Sequence, residues 1–400
     1  MKPNRRNFLK TAALTGLAVP FVVASHQVRG AAANERIRLG VVGCGGRGAW
    51  ITGLFAKDGN YEIVSVADYH RSVAVACGRS FSVPEEKCFS GLSGYKKVLN
   101  TDIDAIALEA VPYFFPEHVR ASVEAGKHVF MAKPVAVDIW GTRTVHDLAV
   151  QSQKNGKIFL VDFQIPTNEN NRNVLACVKN DEIGRIHSIN TCYITGSFGD
   201  PAFQSFEERL QHLVWVNDDI LGGSYHVNAC IHGIEAGLEL LDGELPASAQ
   251  GSSFCCRPNP HGDSHNMYAL TFDYEDGRIW SHQGFHHLSP FHVRAVGYGE
   301  KGVAEIGYVG RAGIRGPQRE EDFGEIADLY QAGAVSNIAK FADAMRKGDV
   351  TNDTVDISIN ANYVTILGRE AGKRRNKTTL AELMQENHRY ELDTSDWAHQ

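Results

Sequence analysis

Apolar and polar positions along this chain change their period near residue 166. Up to that point short β-branched runs alternate with stretches of helical spacing. Residues 36–42, 62–67, 102–108, 127–131 and 157–163 read as strands, and 49–56 and 116–125 as helices. Beyond a helix at 172–180, strands follow one another at 186–194, 247–254, 268–274, 279–283 and 292–298, with hairpin-like turns at Glu275-Asp276-Gly277 and Glu300-Lys301-Gly302. Helical spacing returns at 335–345 and 355–372. Strand–helix alternation builds a parallel sheet covered on both faces, whereas consecutive strands build an antiparallel one. The pattern predicts the α/β class: a parallel-sheet domain over 34–165, an α+β domain with a mainly antiparallel sheet over 166–330, and helices over 331–400 that return to brace the first domain. A chain of 400 residues exceeds what one core usually organises, in keeping with two domains.

The first 33 residues stand apart. Asn4-Arg5-Arg6-Asn7-Phe8-Leu9-Lys10 precedes an apolar run from Ala12 to Ala24, which predicts a twin-arginine export signal. Cleavage is expected at Ala31-Ala32-Ala33, with Val22-Val23-Ala24 as the alternative. The run is short for a bilayer span and carries Gly16 and Pro20, which favours a signal over an anchor. Processing would remove Lys2, Arg5, Arg6, Lys10 and Arg29 from 40 basic residues and nothing from 47 acidic ones, leaving a formal charge of −12. Such a surface repels phosphate backbones and anionic lipid, so neither nucleic acid nor membrane is expected as a partner of the processed chain. The eight cysteines are scattered apart from Cys255-Cys256. Twin-arginine substrates fold in a reducing cytoplasm, so free, buried thiols are expected rather than a disulfide framework.

The candidate chemistry begins at Gly43-Cys44-Gly45-Gly46-Arg47-Gly48, which lies between the first strand and the first helix. Here Gly43 permits a tight turn, Gly45 lets backbone approach a pyrophosphate, and Gly48 lets helix pack on strand, while the helix N-terminus offers unpaired N–H groups. Asp68 ends the second strand 20 residues after Gly48, where a carboxylate accepts from adenosine ribose hydroxyls. That carboxylate favours NAD over NADP, although His70 and Arg71 could accommodate a 2′-phosphate. Strand, glycines, helix, strand and acid in this order define a Rossmann dinucleotide site.

Further along, Glu124-Ala-Gly-Lys-His-Val-Phe-Met-Ala-Lys-Pro134 resembles the signature "EAGKHVxxEKP" of the glucose-fructose oxidoreductase/inositol dehydrogenase (Gfo/Idh/MocA) family. The resemblance extends over nearly the whole chain. It implies a lysine, Lys133, beside nicotinamide and substrate, followed by a strand-ending Pro134, often through a cis peptide. It also implies an open-faced second sheet, packed against the dinucleotide domain and often used to form homo-oligomers. Two departures stand out: Ala132 replaces a glutamate that could tune the lysine, and the loop Glu109-Ala-Val-Pro112-Tyr113 keeps one proline of "ATPPxxH" and loses the histidine.

In the second domain, residues 226–241 read as one helix introduced by Gly222-Gly223. Val227, Ile231, Ile234, Leu238 and Leu241 form its core stripe, and Asn228, His232 and Glu235 the adjacent one. The resemblance places "DxxxH" here, with the histidine facing substrate; this chain reads Asn228-Ala-Cys-Ile-His232, and Glu235 is the nearest replacement partner for that histidine. His282, His286, His287 and His292 match no structural zinc spacing and are expected to contact sugar or lie exposed, with no metal assigned. The chemistry implied is hydride transfer between a sugar-type carbinol and a tightly bound NAD, NADP being the alternative. His232 is expected as acid/base and Lys133 as the polarising group, or the reverse. Export with a trapped cofactor would also suit a redox-neutral glycoside hydrolase, to which Tyr225 and His232-Gly233 bear some likeness. A non-catalytic NAD(P)-binding protein is the third reading, supported by Ala132 and Asn228.

Overall fold

The computed structural model describes residues 36–196, 198, 205–210, 214–256, 262–286, 290–317, 319–352, 354–395 and 397; the expected export signal and His287 lie outside them. Six strands form a parallel sheet: β1 (Ile37–Val42), β2 (Tyr61–Asp68), β3 (Cys88–Ser90), β4 (Ala105–Leu108), β5 (His128–Met131) and β6 (Phe159–Val161), in the order β3-β2-β1-β4-β5-β6. Between them run α1 (Gly46–Asp58), α2 (Arg71–Ser80), α3 (Gly94–Leu99), α4 (Phe115–Glu124) and α5 (Ile139–Lys154). All of β4 and β6 is buried, as sheets covered on both faces require. Order reverses between β1 and β4, and that switch point is where open parallel sheets bind ligands.

After α6 (Glu169–Lys179) comes β7 (Ile186–Ile194), then the short α7 (Asp219–Gly222), a π-helical turn at His226–Cys230 and α8 (Ile231–Leu240). The remaining strands are β8 (Ser248–Phe254), β9 (Met267–Asp273), β10 (Ile279–Phe285), β11 (His292–Gly299), β12 (Val303–Gly307), β13 (Gly310–Arg315) and β14 (Glu320–Ile326). They precede α9 (Leu329–Lys347), α10 (Thr354–Arg374), β15 (Thr378–Thr379) and α11 (Leu380–Glu386). The second sheet has nine strands, ordered β14-β13-β12-β11-β7-β10-β9-β8-β15. It is antiparallel except for the β7–β10 pair, which runs parallel. Period-2 alternation sends Tyr268, Leu270, Phe272, Trp280 and Val293 inward, while Phe254, Ile279 and Tyr298 stay exposed on the other face.

Helix α8 lies close against the inner face because two glycines permit it. A Cβ at Gly233 would come within 2.7 Å of Cys192 O, and one at Gly237 within 2.4 Å of the Trp280 ring. Helix α10 contacts α5, α8 and β8, and so joins the two halves. Its Arg369 is buried and donates to Val137 O (2.9 Å) and Gly223 O (3.0 Å). Helix α9 packs on α1, and Tyr61 donates to Ile338 O at 2.7 Å. No described helix is long and apolar enough to cross a membrane.

Candidate active site

The loop between β1 and α1 has the conformation its glycines require. Gly43 adopts φ +93°, and a Cβ there would strike the Glu109 backbone at 2.5 Å; a Cβ at Gly48 would lie 1.8 Å from Gly43 O. Gly45 and Gly46 instead face open space, with no heavy atom within 4 Å of their Cβ positions. No side chain caps α1, so its first N–H groups remain free for an anion. The loop lines a cavity of about 860 Å³ together with Asp68, His70, Glu109 and Val111. Asp68 lines the cavity and accepts from Cys44 N at 2.8 Å and from His70 N at 3.0 Å, which leaves each carboxylate oxygen a further lone pair. Burial raises its pKa, against the pull of those two N–H groups. Arg71 turns instead to Cys88 O (2.6 Å) and Glu85 (3.3 Å) and is not among the residues that line the cavity. An open glycine cradle, an uncapped helix start and a strand-end acid together fit a dinucleotide.

Arg47, Glu109 and Tyr330, which line the cavity, belong to a charged cluster. Arg47 donates to Asp162 Oδ2 at 2.7 Å and to Tyr330 Oη at 2.5 Å, and its Nε lies 3.2 Å from Glu109 Oε2, off hydrogen-bond geometry. Tyr330 stacks on Trp50 with ring centroids 4.9 Å apart. Asp162 is buried and also accepts from Gln164 and Asn337. Burial pushes the Glu109 carboxyl up to about 7, against the attraction of Arg47. Lys133, joined to Pro134 through a cis peptide, donates from Nζ to Asn228 O at 2.7 Å. Burial and the Arg47 charge bring Lys133 down to about 7, opposed by Asp162, Glu109 and Glu235.

His232 is buried among aromatic rings: Tyr308 edge-on at 4.8 Å, Tyr193 stacked at 6.0 Å and Phe163 edge-on at 6.3 Å. Its Nδ1 has no hydrogen-bond partner among the described residues. Burial, with Lys133 and Arg47 adding to it, holds its pKa well below the ordinary histidine value. His232 is therefore neutral, and the groups near neutrality are Lys133 and Glu109.

Several sequence expectations change here. The helix expected over 226–241 opens with the π-turn His226–Cys230, and Asn228 serves Lys133 through its carbonyl rather than its side chain. Glu235 does not partner His232. It is fully buried, with the Ile165 N–H near but off hydrogen-bond geometry, and burial together with Glu239 raises its pKa well above the usual carboxylate range. Pro112 is buried at the start of a turn and does not itself line the cavity, although Phe114 at the turn's end does. Lys133, Asn228, His232 and Glu235 also lie outside the cavity lining. His282 and His286 are buried rather than sugar-facing: His286 accepts from Phe198 N at 2.9 Å and stacks on Tyr225 at 4.6 Å. Tyr225 spends its hydroxyl on Phe285 O (2.8 Å) and Tyr193 O (3.2 Å). All eight cysteines are free, with Cys255 and Cys256 exposed. Glu109, Asp162 and Tyr308 were not singled out from sequence, although an acid inside the apolar run Phe159-Leu160-Val161-Asp162-Phe163 is a signal of a built polar site.

Residues 37–163 match the family model described as oxidoreductase family, NAD-binding Rossmann fold, of the GFO_IDH_MocA group. A glycosyl hydrolase family 109 protein of Shewanella pealeana is 27% identical over 176 residues, covering 39% of either chain. An inositol 2-dehydrogenase of Pseudomonas syringae pv. syringae is 24% identical over 190 residues, covering 46% of this chain and 55% of that one. Both matches span less than two thirds of the relative's length. Among solved structures, a levoglucosan dehydrogenase in complex with NADH and levoglucosan superposes with a TM-score of 0.70 at 13% identity, over 86% of this chain and all of the other, which shows the shared two-part fold. Residues 37–163 are thus similar to the NAD-binding Rossmann domain of that oxidoreductase family.

Proposed function

We propose, from the premise of that NAD-binding domain, that this chain is an exported oxidoreductase transferring hydride between tightly bound NAD and a carbinol of a sugar, glycoside or cyclitol. The observation that carries the reading is Lys133, a lysine near neutrality that is coupled electrostatically both to Glu109, on the cavity wall, and to His232. When bound, nicotinamide supplies the hydride acceptor. Gly45, Gly46 and the start of α1 would hold its pyrophosphate and Asp68 its ribose, with Arg71 turned away from any 2′-phosphate.

Neutral Lys133 acts as the base. One of its N–H bonds is committed to Asn228 O, so the Nζ lone pair is left for the substrate hydroxyl proton. Glu109, which lines the cavity, is placed to pass that proton outward. His232 stays neutral and orients the hydroxyl through a ring nitrogen. Purified protein should show reduced-nicotinamide absorbance when a sugar or cyclitol from a broad panel is added. Silence across the panel with cofactor bound would sink the oxidoreductase reading.

A redox-neutral glycoside hydrolase is the second reading, favoured by relatives named glycosyl hydrolase family 109. It predicts glycoside cleavage without net cofactor reduction. Against it, Tyr225 has no hydroxyl to spare. Export of a loaded enzyme predicts about one dinucleotide released per denatured chain; empty protein that needs added cofactor would refute retention. The exposed Phe254, Ile279 and Tyr298 mark the sheet face through which copies of the chain would pair. Light scattering of Ile279→Glu should then report monomers.

A further inference from the structure

Between the π-turn and the second sheet, three potential ligands converge away from the dinucleotide cavity. His226, Cys230 and His282 are each no more than 1% exposed, and one ligand atom of each lies within 4.8 Å of the others. His226 and Cys230 stand at the two ends of the π-turn, and His282 projects from β10. His226 Nδ1 lies 2.8 Å from Thr365 O; a carbonyl only accepts, so Nδ1 carries the proton and Nε2 keeps a lone pair. His282 Nδ1 is likewise committed, to Thr191 Oγ1 at 2.8 Å, and that oxygen also accepts from Trp280 Nε1 at 2.7 Å. The Nε2 atoms of both histidines have no hydrogen-bond partner among the described residues. An imidazole fixed through Nδ1 with Nε2 free is the arrangement that orients a metal-ligating histidine. Space beside the three is kept by Gly284, where a Cβ would come within 2.4 Å of Cys230 Sγ and 3.6 Å of His282 Nε2.

We propose that His226, Cys230 and His282 hold one copper(I) ion, which fastens the π-turn to β10 and so steadies the helix that carries His232. Imidazole and thiolate select soft or borderline metals and exclude calcium and magnesium, which need oxygen ligands. Charge decides among the rest. One thiolate and one monovalent ion give a neutral buried site, whereas a divalent ion leaves a net positive charge. Among the described residues, the ionised group acting on His226 is the cation Arg369, Cys230 faces the Tyr225 hydroxyl and Cys192, and the ionisable group acting on His282 is His226 itself, so no carboxylate offsets a second charge. Trigonal bonds of about 2.0–2.3 Å would draw the three atoms to roughly 3.5 Å apart, a small contraction from the spacing seen.

Because the site is closed, the full chain should be loaded by expression in copper-supplemented medium and, separately, by anaerobic refolding with copper(I). The expected result is about one copper per chain, an X-ray absorption spectrum with one sulfur and two nitrogen neighbours, and a raised melting temperature. Cys230→Ser and His282→Gln should lose the ion and the thermal gain, while the paired change Cys255→Ser with Cys256→Ser keeps both. If a variant fails to fold, the ligand count in the wild-type spectrum decides alone. Copper absent after both loadings, copper lost only with Cys255 and Cys256, or stoichiometric zinc in its place would each overturn the proposal.

Discussion

If Lys133 is the base, its titration should be visible in the rate. A lysine at its ordinary 10.5 is neutral at pH 7 in about one molecule in three thousand, whereas at about 7 roughly half are neutral. For alcohol oxidation with cofactor saturating, kcat/KM should rise tenfold per pH unit below about 7 and level off above it, and the reverse reaction should show the mirror profile. The neighbours make the assignment specific. Arg47 lowers the lysine's pKa and Glu109 raises it, so Arg47→Gln should move the inflection up and Glu109→Gln should move it down. Lys133→Ala should lose about 10²–10⁴ in rate. His232→Gln should lower kcat while leaving the inflection in place, since His232 stays neutral across this range. An inflection that ignores both charge changes, or one that disappears with His232→Gln, would refute Lys133 as the base.

Other expectations follow from the same geometry. Asp68→Ala should weaken NAD binding and relax discrimination against NADP, measured by titration of stripped protein; wild-type preference for NADP would contradict the role given to Asp68. Lys133→Met should raise the melting temperature, because the folded chain pays to bury the ammonium below about 7, while between about 7 and 10.5 the unfolded chain binds a proton that the folded chain has released. The gain should therefore be full below about 7 and fade as pH rises to 10.5; a gain independent of pH would contradict the shift. Arg369→Gln removes donors from Val137 O and Gly223 O and should cost about 3–5 kcal/mol in urea unfolding, with unchanged stability counting against its bridging role.

The parallel half was readable, apart from the three-residue β3, because its other strands are short, mostly apolar runs and its glycines sit at fixed offsets around one turn. The far edge of the second sheet was not. Strands β12, β13 and β14 carry Gly307, Gly310, Gly313 and Gly324 and the acids Glu320, Glu321 and Asp322, so neither alternation nor β-branching marks them. The π-turn escaped for a different reason. It inserts backbone without disturbing the apolar spacing of Val227, Ile231 and Ile234, so a 3.6-residue reading passes straight through it. Burial was the other blind spot. His232 keeps its expected place, but a cage of Tyr193, Tyr308 and Phe163 from three separate segments depresses its pKa, and no local pattern announces that.

The departures at residues 132 and 228 both remove a carboxylate from beside a candidate acid/base group. Ala132 is buried and brings no carboxylate to Lys133, yet Glu109 reaches the same lysine from the loop after β4, and Asp162 acts on it from just after β6. What changes is strength: both acids share their charge with Arg47, so their pull on Lys133 is offset, and burial brings the lysine down to about 7. An aspartate at 228 would have added a negative charge on the π-turn and favoured the imidazolium of His232. Asparagine adds none, and His232 stays neutral in its aromatic cage. Removing one carboxylate beside each group therefore acts in one direction, leaving a lysine that is about half neutral and a neutral imidazole near pH 7. That pairing can take a proton from a substrate hydroxyl, which an ammonium and an imidazolium cannot, so the two substitutions argue for a changed balance of acid and base rather than for a silent site.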